Sequence, residues 1–442
     1  MANLRIARGE VPLSRPSLGN QRLIQMRNVL RPPLSEDVTL ERTLAQFLRP
    51  DAGPAAKNLP ELAGPTAQPM SASLLWGYPV GAAEGLARSR FGRLHRYCVL
   101  PSSKAPRWLL PLDDRRAMLA GLRIYVPYAP AARLLRTIVF GFIKAGWNGW
   151  GVPRLLIGSS GPLAVEALAR EITGEPEPIF AMLLGPCGRF RKLTAQVMRP
   201  NGEILGYIKL PLTEGATERV RHEVAVLNRL RDSPPLHPHI PKVLYAGEWG
   251  DAYILFQTPG PSGPGPVEFR APHKSFLRTL ASVHQVQKPG RALVEEVAAR
   301  WRGVVPLIDA ELCSLAERAL RTAHRELDAV TVPCGIAHGD FAPWNTRLDN
   351  GRLFVFDWES AVWDAPLQWD AFHFDVQVAS LLSKNSKRSF GPGPLGKDKA
   401  CFLLYLLDSI SAYAGEEGAD PRGILYRKRA LSREMQYEIK DS

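Results

Sequence analysis

The middle of the chain contains two apolar segment pairs whose spacing predicts β-hairpins. Leu193–Met198 and Ile204–Leu210 flank Asn201-Gly202, and the apolar run Leu353–Phe356 follows Asn350-Gly351. Asn-Gly between such runs is the strongest local signal for a tight turn, because both residues tolerate a positive φ. We therefore expect antiparallel strands at both places, with further strands at Val243–Tyr245 and Ala252–Phe256.

Apolar residues at intervals of three and four predict a helix after the first hairpin, with Thr217 as its N-cap. From Phe276 onward the pattern predicts mostly helix, except around Asn350. Upstream, we expect a short strand and two helices, at Trp108–Leu112, Arg115–Tyr125 and Ala131–Ala145. Residues 1–70 are rich in Pro, Arg, Ala and Gly, which predicts irregular structure with one short helix at Leu40–Leu48.

Charge is distributed unevenly along the 442 residues. Residues 1–170 hold 23 basic and 10 acidic side chains, whereas residues 171–442 hold 33 of each, so the net charge of +13 lies in the first part. A basic segment of this kind favours an anionic partner such as a membrane surface. We expect no nucleic-acid partner, because no recognition motif accompanies the charge. The sequence does not indicate an oligomeric state.

The remaining composition indicates a cytoplasmic protein. Five cysteines are spread widely along the chain, which fits neither a disulfide framework nor a zinc site. The N-terminus has no apolar core typical of a secretory signal, and no run of 18 apolar residues predicts a membrane span. We therefore expect a cytoplasmic location. Peripheral association with the inner face of the membrane is compatible with this location.

Candidate chemistry is concentrated between His338 and Asp357. A two-residue turn at Asn350-Gly351 places Asn345 beside Phe356 and therefore brings Asn345 and Asp357 onto adjoining strand ends. An amide oxygen and a carboxylate are hard ligands suited to Mg²⁺ that is completed by water and phosphate oxygens. Asp340 lies five residues before Asn345, where it can accept a proton from a hydroxyl beside that metal.

The segment His338-Gly339-Asp340 to Asn345, followed by an apolar strand and Asp357-Trp358-Glu359, resembles the aminoglycoside phosphotransferase and choline kinase group. Trp363-Asp364-Ala365-Pro366 and Asp370 extend the resemblance. It implies an α+β, bilobal protein-kinase-like fold with a small, mainly β N-lobe and a mainly helical C-lobe. It also implies Asp340 as catalytic base, Asn345 and Asp357 as magnesium ligands, and Asp370 as a brace for the loop before Asn345.

The resemblance further implies an ATP site in the first lobe. Lys209 matches the lysine that holds nucleotide phosphates, and Glu223 on the following helix is its expected ion-pair partner. Gly185 and Gly188 mark a phosphate loop with only two glycines, and Pro186 removes one backbone donor. Arg189, Arg191 and Lys192 are candidate side-chain donors to phosphate in its place, although the segment also reads as an ordinary turn.

With this resemblance the chain divides into four units. These are a largely irregular basic segment at 1–70, an accessory α/β extension with a strand and helices at 71–175, an N-lobe at 176–260 and a C-lobe at 261–442. Helix Ala131–Ala145 combines apolar residues with Arg133, Arg136 and Lys144. Its pattern favours packing on the lobes, with an interfacial membrane helix as the alternative. Trp108–Leu112 resembles kinase-fold proteins associated with bacterial polysaccharide gene clusters.

We therefore expect an ATP- and Mg²⁺-dependent phosphotransferase that acts on a hydroxyl of a small molecule or glycan. Residues 1–170 are expected to direct the enzyme to an anionic or bulky partner without contributing to the chemistry. The alternative is a weakly active or inactive kinase-like protein. Such a protein would bind nucleotide or serve as a membrane-peripheral assembly component, for example in polysaccharide biosynthesis.

Overall fold

The computed structural model describes residues 30–31, 75–79, 93–102, 106–128, 130–159, 161–250, 252–382, 397–415 and 421–437. The helix expected at Leu40–Leu48 lies outside the described residues, as does nearly all of the segment 1–70.

The strands are β1 (Leu30–Arg31), β2 (Leu75–Pro79), β3 (Arg93–Pro101), β4 (Pro106–Pro111), β5 (Arg154–Ser159), β6 (Ile179–Leu184), β7 (Lys192–Met198), β8 (Ile204–Pro211), β9 (Val243–Trp249), β10 (Ala252–Gln257), β11 (Gln285–Pro289), β12 (Thr331–Ala337), β13 (Thr346–Asp349), β14 (Arg352–Val355) and β15 (Val362–Pro366). The helices are α1 (Arg115–Gly121), α2 (Pro130–Lys144), α3 (Ala164–Thr173), α4 (Glu214–Leu230), α5 (Ala271–Val283), α6 (Gly290–Val304), α7 (Ala310–Leu327), α8 (Trp369–Leu381), α9 (Lys397–Ala414) and α10 (Pro421–Tyr437). Short 3-10 turns occupy Leu122–Ile124, Pro234–Leu236, Val305–Leu307, Pro343–Asn345 and Trp358–Ser360.

The accessory strands and the N-lobe strands form one sheet. Its order is β1-β2-β5-β3-β4-β6-β7-β8-β10-β9, and the junction is the antiparallel pair β4–β6, in which Trp108 faces Leu183. One buried cluster contains Leu109 and Leu155 from the extension together with Phe180 and Val197 from the N-lobe. Because sheet and core continue across residue 175, the extension packs directly on the N-lobe. The unit boundaries themselves remain predictions.

Both expected hairpins are confirmed. Strands β7 and β8 pair antiparallel across the Asn201-Gly202 turn, and β13 pairs with β14 from Thr346↔Val355 to Asp349↔Arg352. Asn350 and Gly351 have φ values of 48° and 77°. These values lie in the left-handed region that a two-residue hairpin turn requires and that Asn and Gly adopt at low cost.

Two local expectations are wrong. Helix α4 begins at Glu214 and is capped by Thr213, whose hydroxyl accepts from Ala216 N, so Thr217 lies inside the first turn. The segment after Phe276 is also less helical than expected, because β11, β12 and β15 form a three-stranded sheet. Strand β12 is a short, largely buried run that follows α7. The spacing of its apolar residues alone does not distinguish such a run from a helix.

Helices α6, α7, α9 and α10 enclose the largest buried cluster of the C-lobe, which includes Trp301, Leu327 and Leu404. The sheet-rich lobe followed by this helical lobe confirms the expected α+β, bilobal protein-kinase-like fold, preceded by an α/β extension. None of the helices within the described ranges is long and apolar enough to cross a membrane.

Helix α2 packs through only one side. Ile143 is buried and Val139 is half-buried in a cluster with Leu110 and Met118 of the same extension. In contrast, Leu134 is 62% exposed, and Leu135 and Phe142 are each 56% exposed. The helix was expected to pack on the lobes through its apolar residues. This expectation is wrong for most of these residues, which are exposed.

Candidate active site

A cavity of about 590 Å³ lies between the two lobes. Side chains alternate across a strand, so Lys192 and Thr194 on β7 share a face, as do Tyr207 and Lys209 on β8. The register pairs Thr194 with Lys209 and, on the next strand, Gln257 with Tyr207. All five of these residues line the cavity, so the pleat of the sheet builds one of its walls.

Lys209 forms the centre of a buried ionic network. Its Nζ lies 2.7 and 2.6 Å from the two carboxylate oxygens of Glu223, and 2.6 Å from Asp357 Oδ1. Glu223 is fully buried on α4 and also accepts from the backbone N–H of Trp358 at 3.3 Å. The structure thus brings together the three residues that the sequence separated by up to 148 positions.

Lys192 adds a second cation to the network. Its Nζ lies 3.1 Å from Asp357 Oδ1 and also contacts Glu359 Oε2, while Glu359 Oε1 lies 3.5 Å from Arg219. Arg189, Arg191 and Lys192 were suggested as phosphate donors of the two-glycine loop. Lys192 lines the cavity, whereas the guanidinium of Arg189 lies 4.0 Å from the exposed carboxylate of Glu218.

Opposite charges outweigh burial in setting the pKa of Asp357 and of Lys209, whereas burial raises the pKa of Glu223 despite the nearby lysines. Burial raises the pKa of Asp357, but Lys192 and Lys209 hold it well below its usual range. Burial lowers the pKa of Lys209, but the carboxylates of Asp357 and Glu223 raise it by more. Both lysines and Asp357 are therefore charged at neutral pH, and the cavity presents two ammonium groups beside a carboxylate.

Asp370 holds the loop that follows β12. Its carboxylate accepts from His338 N at 2.7 Å and from Gly339 N at 3.1 Å, so the hydrogen bonds expected of Asp370 are confirmed. Gly339 has a φ of 79°, and a Cβ there would lie 2.0 Å from Ser360 O. Only glycine fits this position, which fixes the direction in which the chain enters Asp340.

Asp340 is held at both carboxylate oxygens. Asn345 Nδ2 donates to Asp340 Oδ2 at 2.7 Å, and His373 Nε2 lies 3.0 Å from Asp340 Oδ1. The other ring nitrogen of His373, Nδ1, lies 3.2 Å from the Tyr405 hydroxyl. If the hydroxyl donates to Nδ1, the tautomer has its proton on Nε2 and donates it to Asp340. Asp340 is thus oriented by neighbours on two elements while remaining partly exposed.

Asn345 and Asp357 lie beside each other as the hairpin geometry predicted. Phe356 N donates to Asn345 O at 3.1 Å, and both Asn345 and Asp357 line the cavity. Asp357 lies just before the 3-10 turn Trp358–Ser360 and has a φ of 71°, in the left-handed region. The Asn345 Nδ2 group is used by Asp340, so its amide oxygen is the atom left for a cation.

The donor set fits a hard divalent cation. Glu223, Asp357 and Glu359 place carboxylate oxygens within 4.8 Å of one another, against the two ammonium groups of Lys192 and Lys209. Oxygen-rich sites of this type suit Mg²⁺ rather than a thiolate-seeking metal. Within this set, Asp357 is the carboxylate that lines the cavity together with Asn345.

The two-glycine loop connects β6 and β7. Gly185 N donates to Lys192 O at 2.8 Å, and Gly188 has a φ of 144°. Gly185 and Pro186 line the cavity, whereas Gly188 is not among the described residues that do so. The structure therefore places one of the two predicted glycines at the cavity, and their role in phosphate binding remains a prediction.

Sequence reasoning missed Lys192 as a partner of Asp357 and missed His373 entirely. The sequence indicates the strand or helix face on which each residue lies, although it does not specify the contact that each residue makes. Lys192 is two residues before Thr194 on a strand face that continues to Lys209, and His373 is three residues after Asp370 on one helix face. His284 is the C-cap residue that follows α5, and its Nε2 lies 2.6 Å from Asp364 Oδ1.

Comparison with known proteins gives one family and a set of solved structures. Residues 207–368 match the phosphotransferase enzyme family. No curated protein matches the chain. A thermostable mutant of aminoglycoside phosphotransferase APH(4)-Ia in its apo form aligns over 62% of this chain and 99% of that chain, with 14% identity and a TM-score of 0.45.

Two further solved structures align over 61% of this chain. A ternary complex of a thermostable APH(4)-Ia mutant with ADP and hygromycin B has 16% identity, 98% of that chain covered and a TM-score of 0.43. ADP-bound aminoglycoside phosphotransferase APH(2'')-Ib has 14% identity, 96% covered and a TM-score of 0.38. The family match over residues 207–368 confirms the resemblance predicted from the sequence.

Proposed function

We propose that this protein transfers the γ-phosphoryl group of ATP to a hydroxyl of a small molecule or glycan. The observation that carries the proposal is the network in which Lys209 contacts both Glu223 and Asp357 at the wall of the cavity. Phosphoryl transfer depends mostly on positioning and charge stabilisation, and a lysine fixed by two carboxylates supplies both.

The residues of the chain divide the work. Lys209 and Lys192 present ammonium groups to nucleotide phosphates. Asp340, held by Asn345 and His373, accepts the proton of the acceptor hydroxyl. As that proton leaves, the acceptor oxygen bonds to the γ-phosphorus and the bond from this phosphorus to the β–γ bridging oxygen breaks. The products are the phosphorylated acceptor and ADP.

Asn345 and Asp357 are the residues that would hold Mg²⁺. When bound, the ion neutralises charge on the phosphate oxygens during transfer. Asp357 provides the formal negative charge, and its contacts with Lys209 and Lys192 keep it ionised without a metal. Asn345 provides a neutral oxygen whose position is set by its hydrogen bond to Asp340.

We expect ATP with Mg²⁺ to raise the melting temperature of the full-length protein, because a ligand that binds only the folded state stabilises it. At 100 times the Kd the gain is about 2.7 kcal/mol. GTP, ADP and Mg²⁺ alone serve as comparisons. An ATP-consumption screen over hydroxyl-bearing small molecules and glycans then identifies the acceptor. Stabilisation without turnover for any acceptor favours the inactive kinase-like alternative, and no stabilisation by any nucleotide contradicts the proposal.

We also propose that helix α2 associates with an anionic membrane surface. Leu134, Ile138 and Phe142 project from a roughly 100° arc, and all three are exposed. The helix sequence holds Arg133, Arg136 and Lys144 and no acidic residue. Apolar exposure flanked by cations is the pattern of an interfacial helix, and the remaining positive charge of residues 1–170 adds attraction.

We expect the protein to sediment with anionic vesicles and to dissociate as salt rises, since the Debye length falls from about 10 Å at 0.1 M to about 3 Å at 1 M. Leu134→Glu should weaken this binding. Leu307→Glu is the matched control, because Leu307 is 66% exposed in the C-lobe against 62% for Leu134. Equal binding of both variants and the parent, or equal binding to neutral vesicles, contradicts the membrane proposal.

A further inference from the structure

The extension contributes directly to the cavity between the lobes. Four residues of the segment 122–128, namely Ile124, Tyr125, Val126 and Tyr128, line it together with Leu183, Gly185 and Lys209. The segment connects the end of α1 to α2 through a 3-10 turn. A kinase-like site built only from the two lobes would not require these residues.

The N-terminal part of this segment is positioned by the Trp-Leu-Leu-Pro-Leu strand. Trp108 on β4 lies with its ring centroid 5.5 Å from that of Tyr125. The same tryptophan pairs with Leu183 on β6, the strand that leads into the two-glycine loop. Tyr125 is thereby placed beside the strand that begins the N-lobe, although its own side chain is 41% exposed.

The C-terminal part is tied to the C-lobe. The Tyr128 hydroxyl lies 2.6 Å from the carbonyl oxygen of Pro343 and 3.3 Å from that of Gly265, and its ring meets Trp344 edge-on at 6.3 Å. Tyr128 is 9% exposed. Pro343 precedes Asn345 by two residues, so this hydrogen bond reaches the loop that carries Asp340.

Helix α2 secures both ends of the segment. Arg136 Nε donates to Leu122 O at 3.1 Å, and Arg133 Nε donates to Tyr128 O at 3.0 Å. A backbone segment that is held at two points loses less conformational entropy when a ligand binds to it. The segment is therefore a preorganised part of the cavity wall.

The cavity surface separates into a charged part and an aromatic part. Lys192, Lys209 and Asp357 contact one another in the charged part. In the aromatic part, the guanidinium of Arg347 lies 4.7 Å from the Phe356 ring centroid, and Trp344 lies against Tyr128. Asp340 is not among the described residues that line the cavity. The ammonium groups of Lys192 and Lys209 line this cavity, which suits it to the phosphate donor of the proposed reaction.

We propose that the segment 122–128 is a nucleotide-binding element, in which Tyr125 and Val126 cover the base and ribose. This inference rests on the proposed ATP-dependent function. The two-glycine loop has one backbone N–H donor fewer because of Pro186. The proposal therefore gives the extension a part of the contact with the nucleotide. It also opposes the expectation that residues 1–170 are unnecessary for the chemistry, because part of that region lines the cavity.

The test measures Mg²⁺–ATP affinity by calorimetry for the full-length protein and for Tyr125→Ala. Loss of an aromatic contact to a nucleobase should weaken binding about tenfold. Trp150→Ala is the matched control, because Trp150 is an exposed aromatic residue of the same extension that lies outside helix α2 and is not among the described residues lining the cavity. In parallel, 8-azido-ATP photolabelling of the unaltered protein should modify the tryptic peptide 124–133.

Each outcome has a distinct meaning. A parent protein that binds no nucleotide contradicts the proposed function itself. A parent that binds ATP, with Tyr125→Ala binding equally well, overturns the role of the segment. If the variant does not fold, the photolabel decides, since labelling confined to lobe peptides overturns the proposal and labelling of 124–133 supports it.

Discussion

Asp340→Asn is expected to lower phosphoryl transfer by about 10²–10⁴-fold, the usual cost of losing a positioned general base. Nucleotide affinity should change little, because Asp340 is not among the described cavity-lining residues. The substitution is compatible with the fold. An imidazole can present either tautomer, so the new amide N–H can donate to His373 Nε2 while its oxygen still accepts from Asn345.

The measurement compares kcat and ATP affinity for Asp340→Asn and for Asp349→Asn. Asp349 is an exposed aspartate at the end of β13 in the same region, so its substitution should leave both quantities unchanged. Turnover of Asp340→Asn within a few-fold of the parent would show that another group accepts the proton.

Asp357→Ala is expected to abolish most of the Mg²⁺ dependence of nucleotide binding, with Asn345→Ala causing a smaller loss. Substituting a residue that only supports a metal ligand typically lowers metal affinity about 10–100-fold. Removing a charged ligand itself should lower the affinity further. The fold should persist, because Lys209 retains Glu223 and Lys192 retains Glu359 when the Asp357 carboxylate is removed.

Calorimetric titration of Mg²⁺ at fixed ATP tests this order, with Asp349→Ala as the control at an exposed carboxylate. A parent-like metal dependence in Asp357→Ala would place the ion elsewhere. A larger loss in Asn345→Ala than in Asp357→Ala would mean that the contact between Asn345 and Asp340, rather than charge, sets metal affinity.

Local chemistry accounts for what the sequence predicted correctly. Asn350 and Gly351 adopt the left-handed conformations that their turn requires, and the resulting register places Asn345 beside Phe356. The turn and the register depend on a hairpin, where the backbone itself determines the geometry. The ATP site with Lys209 and Glu223 was implied instead by the resemblance to the aminoglycoside phosphotransferase and choline kinase group.

The tertiary structure decided which distant groups meet. Lys192 and Glu359 lie 167 positions apart and His373 lies 33 positions beyond Asp340, so no local pattern specifies either contact. The β4–β6 pairing and the hydrogen bond from Tyr128 to Pro343, across 215 positions, bring the extension to the cavity. Strand pairing and side-chain packing between remote segments depend on the whole fold, whereas turns and strand faces are set by a few adjacent residues.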